Sequence, residues 1–281
     1  MDTILESPSK KVTIGPQGPF VIIGERINPT GRKALARELQ EGNMERVVAD
    51  ALQQVEAGAA MLDVNAGVPG ADEAALLVQL LRMVQETTDV PLSIDSSVVA
   101  ALEAALPTVQ GKPLVNSVTG EDERLESILP LVGRHGAAVI GLAHDEAGPS
   151  MDPLERLRVS KKIVQRASDH GIPPEDVMID PLAMTVGADP IAANVVLETI
   201  RLVRQELGNN LTLGASNISF GLPDRGIINA SFLALAMGAG LTSAIANPLA
   251  EGVRLTVMAG DLLLARDPYG MAWIQEHRKR Q

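Results

Sequence analysis

The sequence predicts an α/β protein, a single (β/α)8 TIM barrel that spans residues 1–281. Two observations lead to this prediction. Eight short apolar segments alternate along the chain with eight segments of helical periodicity, which is the pattern of repeated βα units. Most of the apolar segments also end on Asp, Asn or Glu. A buried parallel strand is a continuous apolar run, so a polar residue at its end is expected at the rim of the sheet.

The predicted strands are short and are separated by helices of ordinary length. The strand candidates begin near Phe20, Ala60, Pro91, Pro113, Ala137, Asp176, Leu211 and Leu241. The predicted helices cover 44–57, 72–86, 98–106, 122–134, 153–170, 190–207, 227–237 and 251–265. In the second helix an apolar stripe recurs at helical spacing, through Leu76, Leu77, Leu80, Leu81 and Val84. Glycines such as Gly58 and Gly136 precede strands and suit the residue that ends a helix.

The ends of the chain are predicted to lie outside this repeat. Residues 1–18 are expected to form an N-terminal extension and residues 267–281 a C-terminal tail. A doubly wound open sheet is the alternative architecture. It would require a glycine-rich phosphate loop after an early strand, and the sequence contains neither of the usual patterns.

Composition excludes several classes of function. The net charge of -11 opposes nucleic-acid binding, and aromatic residues make up only 2% of the chain, too few for a base-stacking platform. The sequence has no cysteine, no apolar stretch near the length of a membrane span and no signal-peptide pattern at its start. We therefore expect a soluble cytoplasmic protein that binds neither nucleic acid nor membrane.

The polar residues at the strand ends are the candidate functional residues. In a barrel of this type the active site lies at the carboxyl ends of the strands, so these side chains are expected to face one mouth. They are carboxylates and amides, which suit a neutral heterocycle with an amidine-like edge, such as a pterin or a purine. The four histidines have no ligand spacing, and no metal site is predicted. The set comprises Glu25, Asn28, Asp63, Asn65, Asp95, Asn116, Asp180, Asn217 and Asn247.

Several of these positions also have a structural explanation. Asp63 and Asp95 could be N-caps of the helices that follow them. Asn28 and Asp180 each precede a proline and could simply form turns. Asn217 is different, because the loop that follows it, as far as Pro223, is too long for a simple cap.

The motifs around these residues resemble those of the pterin-binding methyltransferases. The resemblance is to methyltetrahydrofolate:corrinoid methyltransferases and to the folate module of cobalamin-dependent methionine synthase, and it covers about residues 20–265. The matching pieces are Gly24-Glu-Arg-Ile-Asn28, Leu62-Asp-Val-Asn65, Ser93-Ile-Asp95, Val115-Asn116, Ile179-Asp180, Gly214-Ala-Ser-Asn217 and Arg225 followed by Ile228-Asn229. Each piece is weak alone, but together they occur in order and at compatible spacing.

The resemblance implies a role for each matching residue. Asp95, Asn116 and Asp180 would hydrogen-bond the pterin ring, and Asn217 would reach N5, the atom that carries the methyl group. Glu25, Asn28 and Arg225 would complete the pocket wall. Supporting positions would be Asp63, Asn65, Ser219 and Asn247.

The resemblance also implies substrates and partners. The substrate would be tetrahydrofolate or methyltetrahydrofolate, and the methyl group would move to or from a corrinoid (cobalamin) held by a partner corrinoid-binding protein. The direction of transfer stays open. A homodimer is expected from the same likeness.

Two alternative functions are considered. Dihydropteroate synthase shares the barrel and the pterin pocket, but needs a basic residue late in the barrel for its diphosphate-bearing substrate. The seven lysines of this chain all lie outside the seventh and eighth predicted strands. The other alternative is a folate-binding subunit of a corrinoid assembly without catalytic activity.

Overall fold

The computed structural model describes residues 1–279 as alternating strands and helices around one parallel sheet. The strands are β1 (Thr3–Glu6), β2 (Lys11–Ile14), β3 (Val21–Ile27), β4 (Met61–Asn65), β5 (Leu92–Asp95), β6 (Leu114–Thr119), β7 (Ala138–Leu142), β8 (Val177–Asp180) and β9 (Ser243–Ala246). The helices are α1 (Lys33–Gln40), α2 (Glu45–Glu56), α3 (Glu73–Thr87), α4 (Val99–Ala105), α5 (Asp122–His135), α6 (Pro153–Asp169), α7 (Ala192–Glu206), α8 (Arg225–Ala239), α9 (Glu251–Leu263) and α10 (Met271–Lys279).

Seven strands form the main sheet, in the order β8-β7-β6-β5-β4-β3-β9, and every neighbouring pair is parallel. The predicted α/β fold is confirmed, with seven of the eight expected barrel strands in one curled parallel sheet. The apolar stripe of α3 is buried as the periodicity predicted, from Leu76 to Val84. Among the described residues no helix is long and apolar enough to cross a membrane.

The predicted seventh strand is an extended segment rather than a regular strand. It lies between the two edge strands of the sheet, because Thr212 N–H donates to the carbonyl of Ile179 on β8 at 3.1 Å. On its other side Ile245 N–H of β9 donates to the carbonyl of Leu213 at 2.9 Å. The ladder is incomplete because the Leu211 N–H donates to the Thr242 side-chain oxygen (3.0 Å), and not to a carbonyl of a neighbouring strand.

Alternate side chains of each strand point to the inside of the curled sheet, because successive residues of a strand face opposite sides. Val21 and Ile23 of β3, Met61 of β4, Leu114 of β6 and Met178 of β8 belong to one buried apolar cluster. A larger cluster fills the space between the outer face of the sheet and the helices, and it includes Ile22, Leu62 and Val115 from the alternate positions. The strands therefore separate an inner core from an outer one.

Residues 1–18, expected only as an extension, contain an antiparallel hairpin that the sequence analysis missed. Its strands β1 and β2 pair from Thr3↔Ile14 to Glu6↔Lys11. Leu5 and Ile14 are fully buried in the inner core, and Asn210 donates to the carbonyl of Ile14 at 2.7 Å. The hairpin thus covers the amino ends of the parallel strands.

Two helices also lie outside the predicted repeat. Helix α1 precedes α2 in the first connection, and α10 occupies most of the predicted tail at 267–281. The last two residues of that tail, Arg280 and Gln281, lie outside the described residues.

Candidate active site

The same two-residue period that fills the inner core also places polar side chains at the carboxyl ends of the strands. Glu25 comes two residues after Ile23, and Asp180 comes two residues after Met178. Asp63, Asp95 and Asn116 follow the same rule on β4, β5 and β6. These side chains line a cavity of about 670 Å³, together with Asn28, Asn217, Arg225 and Asn247.

Asp63 and its neighbours form the floor of this cavity. The Asp63 side chain accepts a hydrogen bond from Ser93 Oγ at 2.6 Å and another from Asn116 Nδ2 at 3.1 Å. Asn28 Nδ2 lies 3.4 Å from Asp95 Oδ2. The floor therefore joins residues from β3, β4, β5 and β6 in one network.

The N-cap explanation for Asp63 and Asp95 is wrong. Helix α3 is capped by Asp72, whose side chain accepts from Ala75 N–H at 3.1 Å. After β5, the Ser96 hydroxyl accepts from Val98 N–H ahead of α4. Both carboxyl groups stay at the cavity.

Burial governs the ionisation of the floor. It raises the pKa of Asp63 and, together with the charge of Asp63, raises the pKa of Asp95 well above its usual range. Burial also raises the pKa of Glu25, against the opposing effect of its 3.4 Å contact with Ser216 Oγ. Each of the two aspartates affects the pKa of the other, so the pair retains a proton under conditions in which exposed carboxyl groups have lost theirs.

Asp180 serves both in a turn and in the cavity. Its Oδ1 accepts from Leu182 N–H at 2.7 Å, as the turn interpretation predicted, and the carboxyl group also lines the cavity. Burial raises its pKa to about 7, although the Leu182 hydrogen bond and the charge of Arg156 lower it. Asn28 combines the same two features, since its Oδ1 accepts from Thr30 N–H at 2.9 Å.

Asn217 lies on the turn that follows the seventh extended segment. This turn, Ala215–Ser219, is a short 3-10 helix. The Asn217 side chain lies over Gly214, and a Cβ at Gly214 would be only 2.9 Å from Asn217 Nδ2. Any larger residue at 214 would displace the amide. The side chain is exposed on the cavity side, where it lines the mouth.

Arg225 is held at the mouth by the same turn. Its Nη2 donates to the carbonyl of Ser216 at 2.7 Å, and its Nε donates to Ser219 Oγ at 3.0 Å. The guanidinium lies 5.8 Å from the centre of the Phe220 ring. Ser219 itself is fully buried and donates to Asn229 Oδ1 at 2.6 Å. It supports Arg225 and does not line the cavity.

Asn65, like Ser219, is a predicted site residue that does not line the cavity. Its Nδ2 donates to the carbonyl of Asp95 at 3.2 Å, and its Oδ1 accepts from Gly67 N–H at 2.8 Å. Both polar atoms of this side chain are therefore bound to backbone groups, one at the end of β5 and one in the loop after β4. Asn247 makes a comparable turn bond to Leu249 N–H at 3.1 Å but does line the cavity.

A larger groove of about 970 Å³ lies on the outside of the sheet, between α2 and α9. It shares none of the predicted residues, and its inner wall is formed by the outward-facing Phe20 and Ile22. The strand-end cavity is therefore the site in which the candidate residues meet.

Comparison with known proteins identifies the family. Residues 24–247 match the family model described as pterin binding enzyme. The chain belongs to the pterin-binding enzymes. This pterin-binding chain is 32% identical over 256 residues to the methylcorrinoid:tetrahydrofolate methyltransferase of Eubacterium limosum, a match that covers 88% of this chain and 92% of that protein.

Solved structures of lower identity share the fold of this pterin-binding enzyme. Dihydropteroate synthase from Xanthomonas albilineans superimposes with a TM-score of 0.72 at 19% identity, covering 94% of this chain and 99% of that one. The dihydropteroate synthase of Thermus thermophilus gives 0.68 at 20% identity, with coverage of 92% and 99%. At these identities the likeness concerns the fold alone.

Sequence reasoning missed several residues of the strand-end cavity. Arg26, Arg32, Ser216 and Phe220 also line it. Arg26 lies at the irregular end of β3, where the pairing with β4 shifts register. The other three lie in loops or on the short turn after the seventh segment, where side-chain direction depends on backbone turns that no strand period predicts. Across residues 1–279 no group of three or more His, Asp or Glu side chains is placed to hold a metal ion, and the absence of a metal remains a prediction.

Proposed function

We propose that this protein transfers a methyl group between N5 of tetrahydrofolate and a corrinoid carried by a partner protein. The observation that carries the proposal is the combination of strand-end carboxylates and amides with the Asn217 amide at one cavity. The Eubacterium limosum relative, whose name specifies a methylcorrinoid and tetrahydrofolate, supports the same chemistry. That name gives the direction for the relative; for this chain the direction stays open.

The pterin ring would bind on the cavity floor. An ionised Asp180 can accept two N–H donors from the 2-amino-pyrimidinone edge, while the Asn116 amide can both donate and accept. Asp95, which keeps its proton more readily than an exposed carboxyl group, can donate to a ring nitrogen. Glu25, Asn28 and Arg225 would form the surrounding wall.

The methyl transfer is difficult because N5 is a poor leaving group. When the N5–methyl bond breaks, its electron pair stays on N5, so a proton on N5 lowers the barrier. Asn217 could accept a hydrogen bond from protonated N5 through its side-chain oxygen. A preorganised dipole at the site of developing charge is an established source of rate acceleration. The proton would reach N5 through water and the neighbouring carboxyl groups.

The corrinoid would approach through the open mouth. We infer that the described residues form one domain and that the hydrogen bonds on both sides of the seventh segment close the sheet as an eight-stranded barrel. A separate carrier protein is proposed because the resemblance to the corrinoid methyltransferases implies one, and the name of the Eubacterium limosum relative specifies a methylcorrinoid. The carrier must bring the cobalt to N5, and positioning the two atoms contributes further to the rate.

A homodimer and a cytoplasmic location are part of the same proposal. Helix α8 supports the homodimer, because it exposes an uncharged face that includes Ile227, Ala234 and Leu235. Exposed apolar faces on helices mark protein interfaces. The cytoplasmic location rests on the sequence alone.

Dihydropteroate synthesis is the less favoured alternative, although structures of that enzyme share the fold. The seventh segment presents Asn217 at the mouth, and no lysine lies on that segment or on β9. No lysine on these two segments is therefore available for the leaving group of a diphosphate-bearing substrate, and Arg225, the basic residue at the mouth, is held by Ser216 and Ser219.

The decisive experiment mixes the purified protein with cob(I)alamin and methyltetrahydrofolate and follows the cob(I)alamin absorbance. Catalysed loss of cob(I)alamin with formation of methylcobalamin supports the proposal. If folate binds but the cob(I)alamin absorbance decays no faster than in a sample without the protein, the chain is a folate-binding subunit. Formation of dihydropteroate from the pterin diphosphate and 4-aminobenzoate would instead establish the synthase.

A further inference from the structure

Arg156 of α6 is a fully buried charged residue that lies behind the cavity wall. Its Nε donates to the carbonyl of Ser150 at 2.7 Å. Its Nη1 donates to the carbonyls of Pro181 at 2.6 Å and Leu182 at 2.7 Å. Its Nη2 is buried without a hydrogen-bond partner among the described residues. The guanidinium thus joins an outer helix to the loop that follows β8.

The contacts of Arg156 leave its charge without a close counterion. All three acceptors are neutral carbonyls, and within the described part of the chain Arg156 takes part in no ion pair. A buried charge is costly unless an opposite charge balances it. The carboxyl group that acts on Arg156 is Asp180, the candidate pterin ligand.

The loop that Arg156 holds also orients Asp180. Leu182 has a φ of 63°, a left-handed conformation that is costly for a leucine and persists only where surrounding contacts impose it. The N–H of Leu182 donates to Asp180 Oδ1, and the carbonyl of the same residue accepts from Arg156. Leu182 therefore couples the position of the Arg156 guanidinium to that of the Asp180 carboxyl group.

We propose that Arg156 is a positioning residue for folate recognition, which clamps the loop after β8 and balances the charge of Asp180 when the pterin is bound. This inference rests on the proposed function, because it assumes that Asp180 accepts the pterin donors as a carboxylate. Arg156 does not reach the cavity and acts only through Asp180.

The proposal has a consequence for pH dependence. The pKa of Asp180 is raised by burial to about 7 and is lowered by Arg156, so loss of the guanidinium charge raises it further. The other charged groups around the cavity are Glu25, Arg26, Arg32, Asp63, Asp95 and Arg225. The charge of Arg156 lowers the pKa of Asp180, against the larger effect of burial.

The test measures the dissociation constant of tetrahydrofolate by calorimetry from pH 5.5 to 8.5. In the unmodified protein affinity should fall about tenfold per pH unit below a midpoint near 7, because the protonated carboxyl group cannot accept both donors. In Arg156→Gln the midpoint should move upward by about one pH unit. Arg156→Lys, which keeps the charge but cannot bridge both carbonyls, should weaken binding at every pH without moving the midpoint.

Three controls separate the possible outcomes. Arg201→Gln removes an exposed arginine and should leave the profile unchanged. Asp180→Asn should abolish the midpoint, and adding Arg156→Gln to it should not restore one. A folded Arg156→Gln protein with an unmoved midpoint overturns the charge-balancing role. If that variant does not fold, Arg156→Lys with unchanged affinity at every pH overturns the proposal. If the unmodified protein binds no folate, the proposed function fails instead.

Discussion

The two ends of the parallel strands differ in whether their buried carboxyl groups are paired with a cation. At the amino end the hairpin buries Leu5 and Ile14, and the main buried carboxylate, Asp176, is matched by Lys112 at 2.6 Å. At the carboxyl end Asp63, Asp95 and Asp180 are gathered in one cavity, where no cation of the described residues lies within ion-pairing distance, and the pKa of each is raised. The amino end pairs its buried carboxylate with a cation, whereas the carboxyl end retains buried carboxyl groups that no nearby cation of residues 1–279 neutralises.

The strongest test of this difference is Asn217→Ala at the carboxyl end. If the amide stabilises protonated N5, turnover of methyl transfer should fall by about a hundredfold. The dissociation constant of folate should change by less than about threefold, because the pterin edge is held elsewhere. Stopped-flow transfer rates and calorimetric binding measure the two quantities.

Asn194→Ala, an exposed asparagine on α7, is the matched control and should behave as the unmodified protein. An unchanged turnover number in Asn217→Ala would remove the amide from the mechanism while leaving the fold intact.

Leu5→Ala should show the opposite behaviour at the amino end. Because Leu5 is fully buried in the inner core, its truncation should lower the free energy of unfolding by about 3 kcal/mol. Turnover per folded molecule should stay unchanged. Urea unfolding and activity at low temperature test both statements, with Leu154→Ala, whose leucine is 62% exposed, as the control. A loss of activity without a loss of stability would show that the two ends are coupled.

Asp180→Asn should change stability and binding in opposite directions. Asparagine cannot accept both pterin donors, so folate affinity should drop by about tenfold to a hundredfold at pH 8. The pKa of Asp180 is about 7 in the folded protein and about 4 in the unfolded chain. Below pH 4 the protonated carboxyl group therefore makes its full contribution to folding stability, and this contribution is lost as the pH rises through about 7. The variant should therefore gain in melting temperature relative to the unmodified protein between pH 5 and pH 8.

Differential scanning calorimetry at the two pH values measures this gain, and Asp169→Asn, at an exposed position on α6, is the control. An equal melting-temperature difference at both pH values would contradict the raised pKa.

Lys112→Gln at the amino end should give the smallest effect. It removes a half-buried ion pair and leaves Asp176 to partial solvation, so stability should fall by about 1 kcal/mol. Folate affinity and turnover should be unaffected. Chemical denaturation measures the change in stability. Any decrease in folate affinity would mean that the charge at the amino end influences binding at the carboxyl end.

The sequence predicted the repeat well because the signals are local. Helical periodicity and apolar runs depend on a few neighbouring residues, and the predicted helix at 122–134 corresponds to the observed Asp122–His135. The hairpin was missed because the burial of Leu5 and Ile14 depends on an inner core whose other residues come from strands far along the chain, such as Leu114 and Met178. The seventh segment was predicted as a strand, but the side chain of Thr242 replaces part of its ladder.

The candidate site was predictable to the extent that it follows the strand period. Glu25, Asp63 and Asp180 reach the cavity because each comes two residues after an inner-core residue. Asn65 and Ser219 do not line it, because their side chains bind groups at the end of β5, in the loop after β4 and on α8 that no strand pattern specifies. Arg156 could not be predicted as part of the site, because it belongs to an outer helix and contacts the site only through the loop after β8.

The buried hairpin has a kinetic consequence. With one end of the sheet covered by β1 and β2, we expect a folate seated on the floor and a carrier docked above it to share a single route to solvent. Folate must then arrive before the carrier and depart after it, which makes the binding order compulsory. If the carrier docks as proposed, an excess of carrier would therefore trap the folate product and slow turnover.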